Sequence, residues 1–208
     1  VAIEFVLTQA PPLRLEELDT IRVGVRVRNR AGDTIPAAMV RLASLTPDTV
    51  AIDSADLGLV GVRPGPGKVV AFAGSLASDP LSVTVVRAPD SLVVVGPSPD
   101  TVPAADTVSD SLKAGLLDLR TTPGQAAALG AGYRVSFVIV APSAGSAMLG
   151  NDSASQVAVT GASGTAAVVV RRQGAPVVPD SVVVEASASR VVGTPVAGSP
   201  VRFVVRFQ

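Results

Sequence analysis

Apolar residues recur at every second position along most of this chain. In IRVGVRVR (21–28), Ile21, Val23, Val25 and Val27 fall on one face, and Arg22, Gly24, Arg26 and Arg28 on the other. In VRFVVRF (201–207), Val201, Phe203, Val205 and Phe207 alternate with Arg202, Val204 and Arg206. A period of two predicts half-buried strands with one solvated face. Helical periodicity is nearly absent. The best helix candidate, LRLEELD (13–19), is too short and lies between prolines and a strand.

The pattern predicts strands near 1–8, 20–29, 37–44, 49–53, 57–62, 67–74 and 81–87. A second set follows near 91–95, 111–119, 133–140, 145–149, 155–160, 164–172, 180–188 and 199–207. Turn signals separate them at Ala31-Gly32-Asp33, Pro64-Gly65-Pro66-Gly67, Ser78-Asp79-Pro80, Pro123-Gly124, Gly161 to Gly164 and Pro179-Asp180. Many short strands at such spacing indicate an all-β protein of two tandem β-sandwiches, residues 1–88 and 89–208. The joint Arg87-Ala88-Pro89-Asp90 is too short for a floppy tether. PDTV, PDSL, PDTV and PDSV open at 47, 89, 99 and 179. They read as repeated turn-to-strand passages, since proline blocks ladder pairing and aspartate supports a turn.

Composition sharpens this picture. The 208 residues are 48% hydrophobic but only 3% aromatic, so valine, alanine and leucine must fill the core. A chain of this size buries about 70% of the surface its unfolded form exposes, and two such cores need no disulfide. None is available, because there is no Cys. Seventeen basic residues balance seventeen acidic ones, and the balance holds in each half. A nucleic-acid binder needs a basic excess, and insertion into a membrane needs a long apolar run; neither feature is present. The chain begins at Val1 rather than Met, as expected of a processed or excised chain.

The glycine-rich stretch GLVGVRPGPGKVVAFAG (58–74) tests for a phosphate-binding loop. That loop needs G-x-x-x-x-G-K followed by Ser or Thr. Counting back from Gly67-Lys68, the first glycine is replaced by Val62, and Val69 stands where the hydroxyl belongs. The stretch therefore reads as two strands joined by a tight Pro/Gly turn.

TPDTVAIDSADLGLVGVRPGPGKVVAFAGSLASDPLSVTVV (46–86) resembles the second half of a bacterial Ig-like domain of the group 2 kind. Asp53, Gly58, Val60, Gly61, Val62, Gly65, Gly67, Val70 and Ala73 carry the likeness. The strand-turn-strand layout of 21–45 is similar to that family's first half. The Gly-Pro-Gly insertion and the missing Trp or Phe of the middle strand depart from the family. LKAGLLDLRTTPGQAAALGAGYRVSFVIV (112–140) and the stretch Gly161 to Val170 resemble the group 1 domains of invasin and intimin-type proteins. These resemblances imply immunoglobulin-like β-sandwiches in a bacterial surface or secreted protein, often an adhesin or a stalk.

Reactive chemistry is sparse. There is no His and no Cys, so the commonest general base and the commonest metal ligand are missing. Lys68 and Lys113 are the only lysines and lie in different halves. Asp100, Asp106 and Asp110 in PDTVPAADTVSD (99–110) have neither the spacing nor the turn glycine of a calcium loop. A turn-rich connection is the simpler reading. Asn151-Asp152-Ser153 fits a glycosylation acceptor, and equally a plain turn. No catalytic, metal or cofactor site is assigned, and the chain is read as a non-enzyme.

The expectation that follows is an extracellular structural protein, a subunit of a surface fibre whose partners are copies of itself. The candidate assembly strands are the end segments, with Val1, Ile3, Phe5 and Leu7 on one and Val201, Phe203, Val205 and Phe207 on the other. A strand at a chain end can complete a neighbour's sheet as well as its own. The candidate polar contact face is Arg22, Arg26 and Arg28. It would pair with Glu4, Glu16 or Glu17 of a neighbouring subunit, or within the chain. The alternative is an adhesin or stalk fragment that binds a glycan or a protein receptor. Such a site calls for exposed aromatics, and the chain has one Tyr, five Phe and no Trp. A third class, an accessory module of a surface enzyme, leaves no trace in the sequence.

Overall fold

The computed structural model describes residues 1–7, 11–36, 39–122, 125–142, 146–173 and 180–208. Among them every regular element is a strand. The chain divides into two compact units, Val1–Ala88 and Pro89–Gln208.

The first unit contains β1 (Ala2–Val6), β2 (Leu13–Glu16), β3 (Thr20–Arg22), β4 (Gly24–Arg28), β5 (Val40–Ser44), β6 (Val50–Asp53), β7 (Gly58–Gly61), β8 (Gly65–Ala73), β9 (Leu76–Ala77) and β10 (Leu81–Val86). One layer runs in the order β2-β10-β8-β5, with β9 extending the β8 hairpin. Its β2 lies parallel to β10, and the other pairs are antiparallel. The second layer joins β1 to β4 and orders β3-β7-β6. Only Val23 separates β3 from β4, so they are two halves of one strand. Leu13, Leu15, Leu42, Val69, Ala71, Val83 and Val85 of the first layer meet Val23, Val50 and Leu59 of the second in one buried cluster. Lettered in chain order, the layers read A-B-E-D and C-F-G, with β2 as the second half of A crossing over to G. That is the strand order of an immunoglobulin-like sandwich.

The second unit contains β11 (Ser91–Val95), β12 (Asp100–Val102), β13 (Leu112–Thr122), β14 (Gln125–Ala128), β15 (Arg134–Ala141), β16 (Ala147–Leu149), β17 (Ser155–Val159), β18 (Thr165–Val168), β19 (Val170–Arg172), β20 (Ser181–Ser187) and β21 (Val201–Phe207). One layer runs β12-β21-β20-β15-β17. In the other, β13 holds β11 on one edge and β14 and β18 on the opposite edge, and β19 pairs with β16. The inward face of the larger sheet places Val135, Phe137, Val182, Val184, Phe203 and Val205 at 1% exposure or less. The Phe137 and Phe203 rings meet with centroids 6.3 Å apart. Burying side chains of this size contributes about 1.5–3 kcal/mol each.

The Pro/Gly turn expected at Pro64 to Gly67 is displaced. β8 already begins at Gly65, and Gly65, Pro66 and Gly67 face Val85, Thr84 and Val83 across a regular ladder. The chain turns at Val62–Pro64 instead and passes from one layer to the other. Pro66 is tolerated because the β5 ladder stops at Ser44 opposite Val69, leaving no partner for an N–H there. Gly67 packs under β6: a Cβ on it would sit 2.6 Å from Cγ2 of Val50.

In LRLEELD (13–19), the best helix candidate, Leu13–Glu16 form the parallel strand β2. The connection through 100–110 contains the short strand β12, parallel to β21. The turns at Ala31-Gly32-Asp33, Ser78-Asp79-Pro80 and Gly161 to Gly164 lie where the punctuation places them. Those at Pro123-Gly124 and Pro179 fall outside the described residues, as does part of the strand expected at 145–149. The Pro-Asp steps at 47, 89 and 99 lead into β6, β11 and β12, with Asp100 already the first residue of β12.

Candidate assembly surfaces

The two end strands sit in contrasting positions. β1 pairs with β4 along one edge, Ala2 opposite Arg28 through Val6 opposite Gly24. No strand among the described residues pairs with its other edge. Its alternation puts Ile3 and Phe5, followed by Leu7, against the buried cluster of the first unit, each only partly buried. Val1 is 57% exposed. β1 is therefore a peripheral strand, held by one short ladder and a shallow apolar seat.

β21 is an interior strand. β12 runs along one edge and β20 along the other. Phe203, Val205 and Phe207 are buried, and Val201 is half-buried. Offering β21 to another chain would open both ladders and the Phe137–Phe203 contact, whereas β1 has one edge that no strand among the described residues pairs with.

The arginine face is engaged within the chain. Arg28 Nε donates to Glu4 Oε1 at 2.6 Å, and Arg26 Nη1 lies 3.8 Å from the same oxygen. Arg22 pairs with Asp56 in the turn before β7. Glu16 is 2% exposed within β2. Glu17 is half-buried where the chain bridges to Gly61. All three arginine pairs are well solvated, so each contributes only about 0–1 kcal/mol.

The acidic stretch does not converge. Asp100 is 8% exposed, and its carboxylate accepts the Asp110 N–H at 3.0 Å. Asp106 is exposed, in a turn closed onto Pro103. Among the described residues no three His, Cys, Asp or Glu side chains are placed to share an ion. Asn151 and Asp152 form a tight turn, with Asp152 at φ 59° and Asn151 Nδ2 donating to the Ser155 carbonyl at 3.0 Å. Lys68 lies on β8 opposite Ser82 of β10; its N–H donates to Thr46 Oγ1 and its carbonyl accepts the Leu45 N–H, so its backbone is committed within the fold rather than to a phosphate. No helix among the described residues is long and apolar enough to cross a membrane.

None of the six aromatic side chains is fully exposed. Tyr133, Phe137, Phe203 and Phe207 are buried, and Phe5 and Phe72 are half-buried. The Arg41 guanidinium covers the Phe72 ring, 4.1 Å from its centroid.

No protein-family model matches the sequence, and no curated protein matches it. Solved structures do align with it. Domains 4 and 5 of the S-layer protein SbsC share 12% identity over 100% of this chain and 98% of theirs, with a TM-score of 0.36. The adhesin InvE of Yersinia pseudotuberculosis shares 17% over 95% of this chain, with a TM-score of 0.46. The D00-D0 domain of intimin shares 18% over 99% of both chains, with a TM-score of 0.35. The chain spans 57% of the InvE structure and 23% of a longer SbsC structure. At these scores the likeness adds nothing to the strand order described above, which by itself defines an all-β protein of two immunoglobulin-like sandwiches.

Proposed function

We propose that this chain is a non-catalytic structural protein of the bacterial surface. It acts as a subunit of an extracellular fibre built by end-to-end association of its Ig-like domains. The group 2 character of the first domain and the invasin-like character of the second belong to this reading and rest on the sequence motifs. The observation that carries it is the state of β1. This strand has one paired edge, one edge left unpaired among the described residues, and an apolar seat in which Ile3 and Phe5 are only partly buried. Exchange of β1 between copies would replace each lost contact with an equivalent one, so association would cost little beyond ordering. Contacts of this kind that do not close generate a filament.

The lack of a fully exposed aromatic favours this reading over a glycan-binding adhesin, which would hold rings out for stacking. Electron microscopy of the purified protein tests the proposal, with filaments expected. Deleting residues 1–8 is expected to abolish them while leaving the second unit folded. Single particles at high concentration, or filaments unchanged by the deletion, would refute it.

A further inference from the structure

The open edge of β17 is closed off by the chain's own groups at both ends and left bare in the middle. Thr160 N–H donates to the Tyr133 carbonyl at 2.8 Å, and Ile139 N–H to the Ala154 carbonyl at 2.9 Å. Antiparallel ladders bond every second residue. Residues 154, 156, 158 and 160 therefore direct their backbone groups to β15, and 155, 157, 159 and 161 direct theirs outward. At Ser155 both groups are satisfied, the N–H by Ser153 Oγ at 3.3 Å and the carbonyl by Asn151 Nδ2 at 3.0 Å. At Gly161 the N–H donates to the Thr165 carbonyl and the carbonyl accepts the Gly164 N–H, both at 2.9 Å. Among the described residues, the N–H and C=O of Val157 and Val159 remain open.

The side chains there are equally unguarded. Val157 is 50% and Val159 58% exposed; across the β15 ladder they face Ser136 and Arg134, and the partly exposed Val138 lies opposite Ser155. No charge occurs from Ser153 to Gly161. Sheet edges are commonly blunted with charge or proline: β1 carries Glu4, β5 carries Arg41 and β6 ends on Asp53. β11 is neutral too, but its outer edge is occupied where Leu92 N–H donates to the Ala197 carbonyl.

The geometry points to a lateral contact in which β17 pairs antiparallel with β17 of a second copy, about a twofold axis at Ala158. In that register Val157 exchanges both backbone hydrogen bonds with Val159 of the second copy, and Val159 with its Val157. All four open groups are used on each side and none is left over. Ala158 meets its counterpart at the close, non-bonded spacing, where a small side chain fits. The valines form β-branched cross-strand pairs on the outer face. The strand is self-complementary and itself uncharged, and Arg134, the charge opposite Val159, lies on the β15 side, away from the open edge. Only five residues a side are engaged, below the area of a stable dimer, and the contact is a weak one. It gains strength between copies already held close together, as in a fibre or a surface layer. The inference goes beyond end-to-end assembly and does not require it.

Hydrogen exchange on the full chain, read at single amides from about 10 μM to about 1 mM, tests this. The Val157 and Val159 amides are expected to slow by about twofold at the upper concentration, as half-occupancy at a millimolar Kd gives. Gln156 and Ala158, already bonded to β15, should not change. Val157→Lys should remove the effect. Adding Val159→Glu to it should restore it, because each lysine then faces a glutamate of the other copy. Exchange rates that do not depend on concentration would overturn the proposal, including the case in which the edge takes up an unrelated strand instead. A folded double variant without recovery would overturn the register. End-to-end polymerisation alone would leave these two amides unprotected, so failure here is distinguishable from failure of the fibre reading.

Discussion

Glu4 lies directly opposite Arg26 in the β1–β4 register, yet it bonds the diagonal residue, Arg28, at 2.6 Å and leaves Arg26 at 3.8 Å. The diagonal bond adds a side-chain tie between β1 and β4 to their backbone ladder. Glu4→Lys removes the bond and places like charges across the ladder. It is expected to destabilise the first unit by about 0.5–1 kcal/mol, most at low salt. Thermal melts at two ionic strengths check this, and a loss that grows with added salt would contradict the assignment.

Gly67 has no room for a side chain, since its Cβ would come within 2.6 Å of a methyl of fully buried Val50. Gly67→Ala should therefore cost about 1–3 kcal/mol, as overpacking does. Gly130→Ala meets nothing within 4 Å and should stay within about 0.5 kcal/mol of the parent. Urea unfolding of both variants measures the contrast, and equal midpoints would sink the packing argument.

These two residues also mark how far the sequence could be read. Strands with several alternating apolar residues, such as Val201 to Phe207, were legible because burial on one face imposes a period of two. β12 spans only three residues, too few for a period. β2 hid its alternation of Leu13 and Leu15 beside the charged residues Glu16 and Glu17, which gave it a helical cast. Gly65 to Gly67 read as a turn because glycine and proline punctuate loops. Close packing under β6 and the end of the β5 ladder, both non-local facts, make a strand of them instead. Which end strand is peripheral and which interior was equally invisible, since both alternate in the same way. It depends on what pairs with the far edge. The open edge of β17 depends on caps from Asn151, Ser153 and Thr165 that no periodicity signals.

Leu18 is held in the left-handed region at φ 67°, with its side chain 69% exposed and its N–H bonded to the Gly61 carbonyl at 2.8 Å. The conformation costs an L-residue about 1–2 kcal/mol, and an exposed leucine recovers little by burial. Leu18→Gly relieves that strain but loses more chain entropy on folding, about 0.5–1 kcal/mol. The expected net is a gain of about 0.5 kcal/mol. A lowered melting temperature would mean that Leu18 makes packing contacts its exposure does not suggest.

Phe203→Ala probes whether the two units unfold separately. Phe203 is 1% exposed and meets Phe137 at the centre of the second unit's larger sheet. Truncation there should cost about 3–5 kcal/mol through lost burial and the cavity left behind. The described ladders all close within Val1–Ala88 or within Pro89–Gln208, so that loss should stay in the second unit. Calorimetry of the parent is expected to resolve two transitions, and Phe203→Ala to lower one while leaving the other within a degree or two. Gly67→Ala should do the reverse. If either variant moved both transitions together, the units would be folding as one cooperative body, and removing residues 1–8 would no longer be a local change.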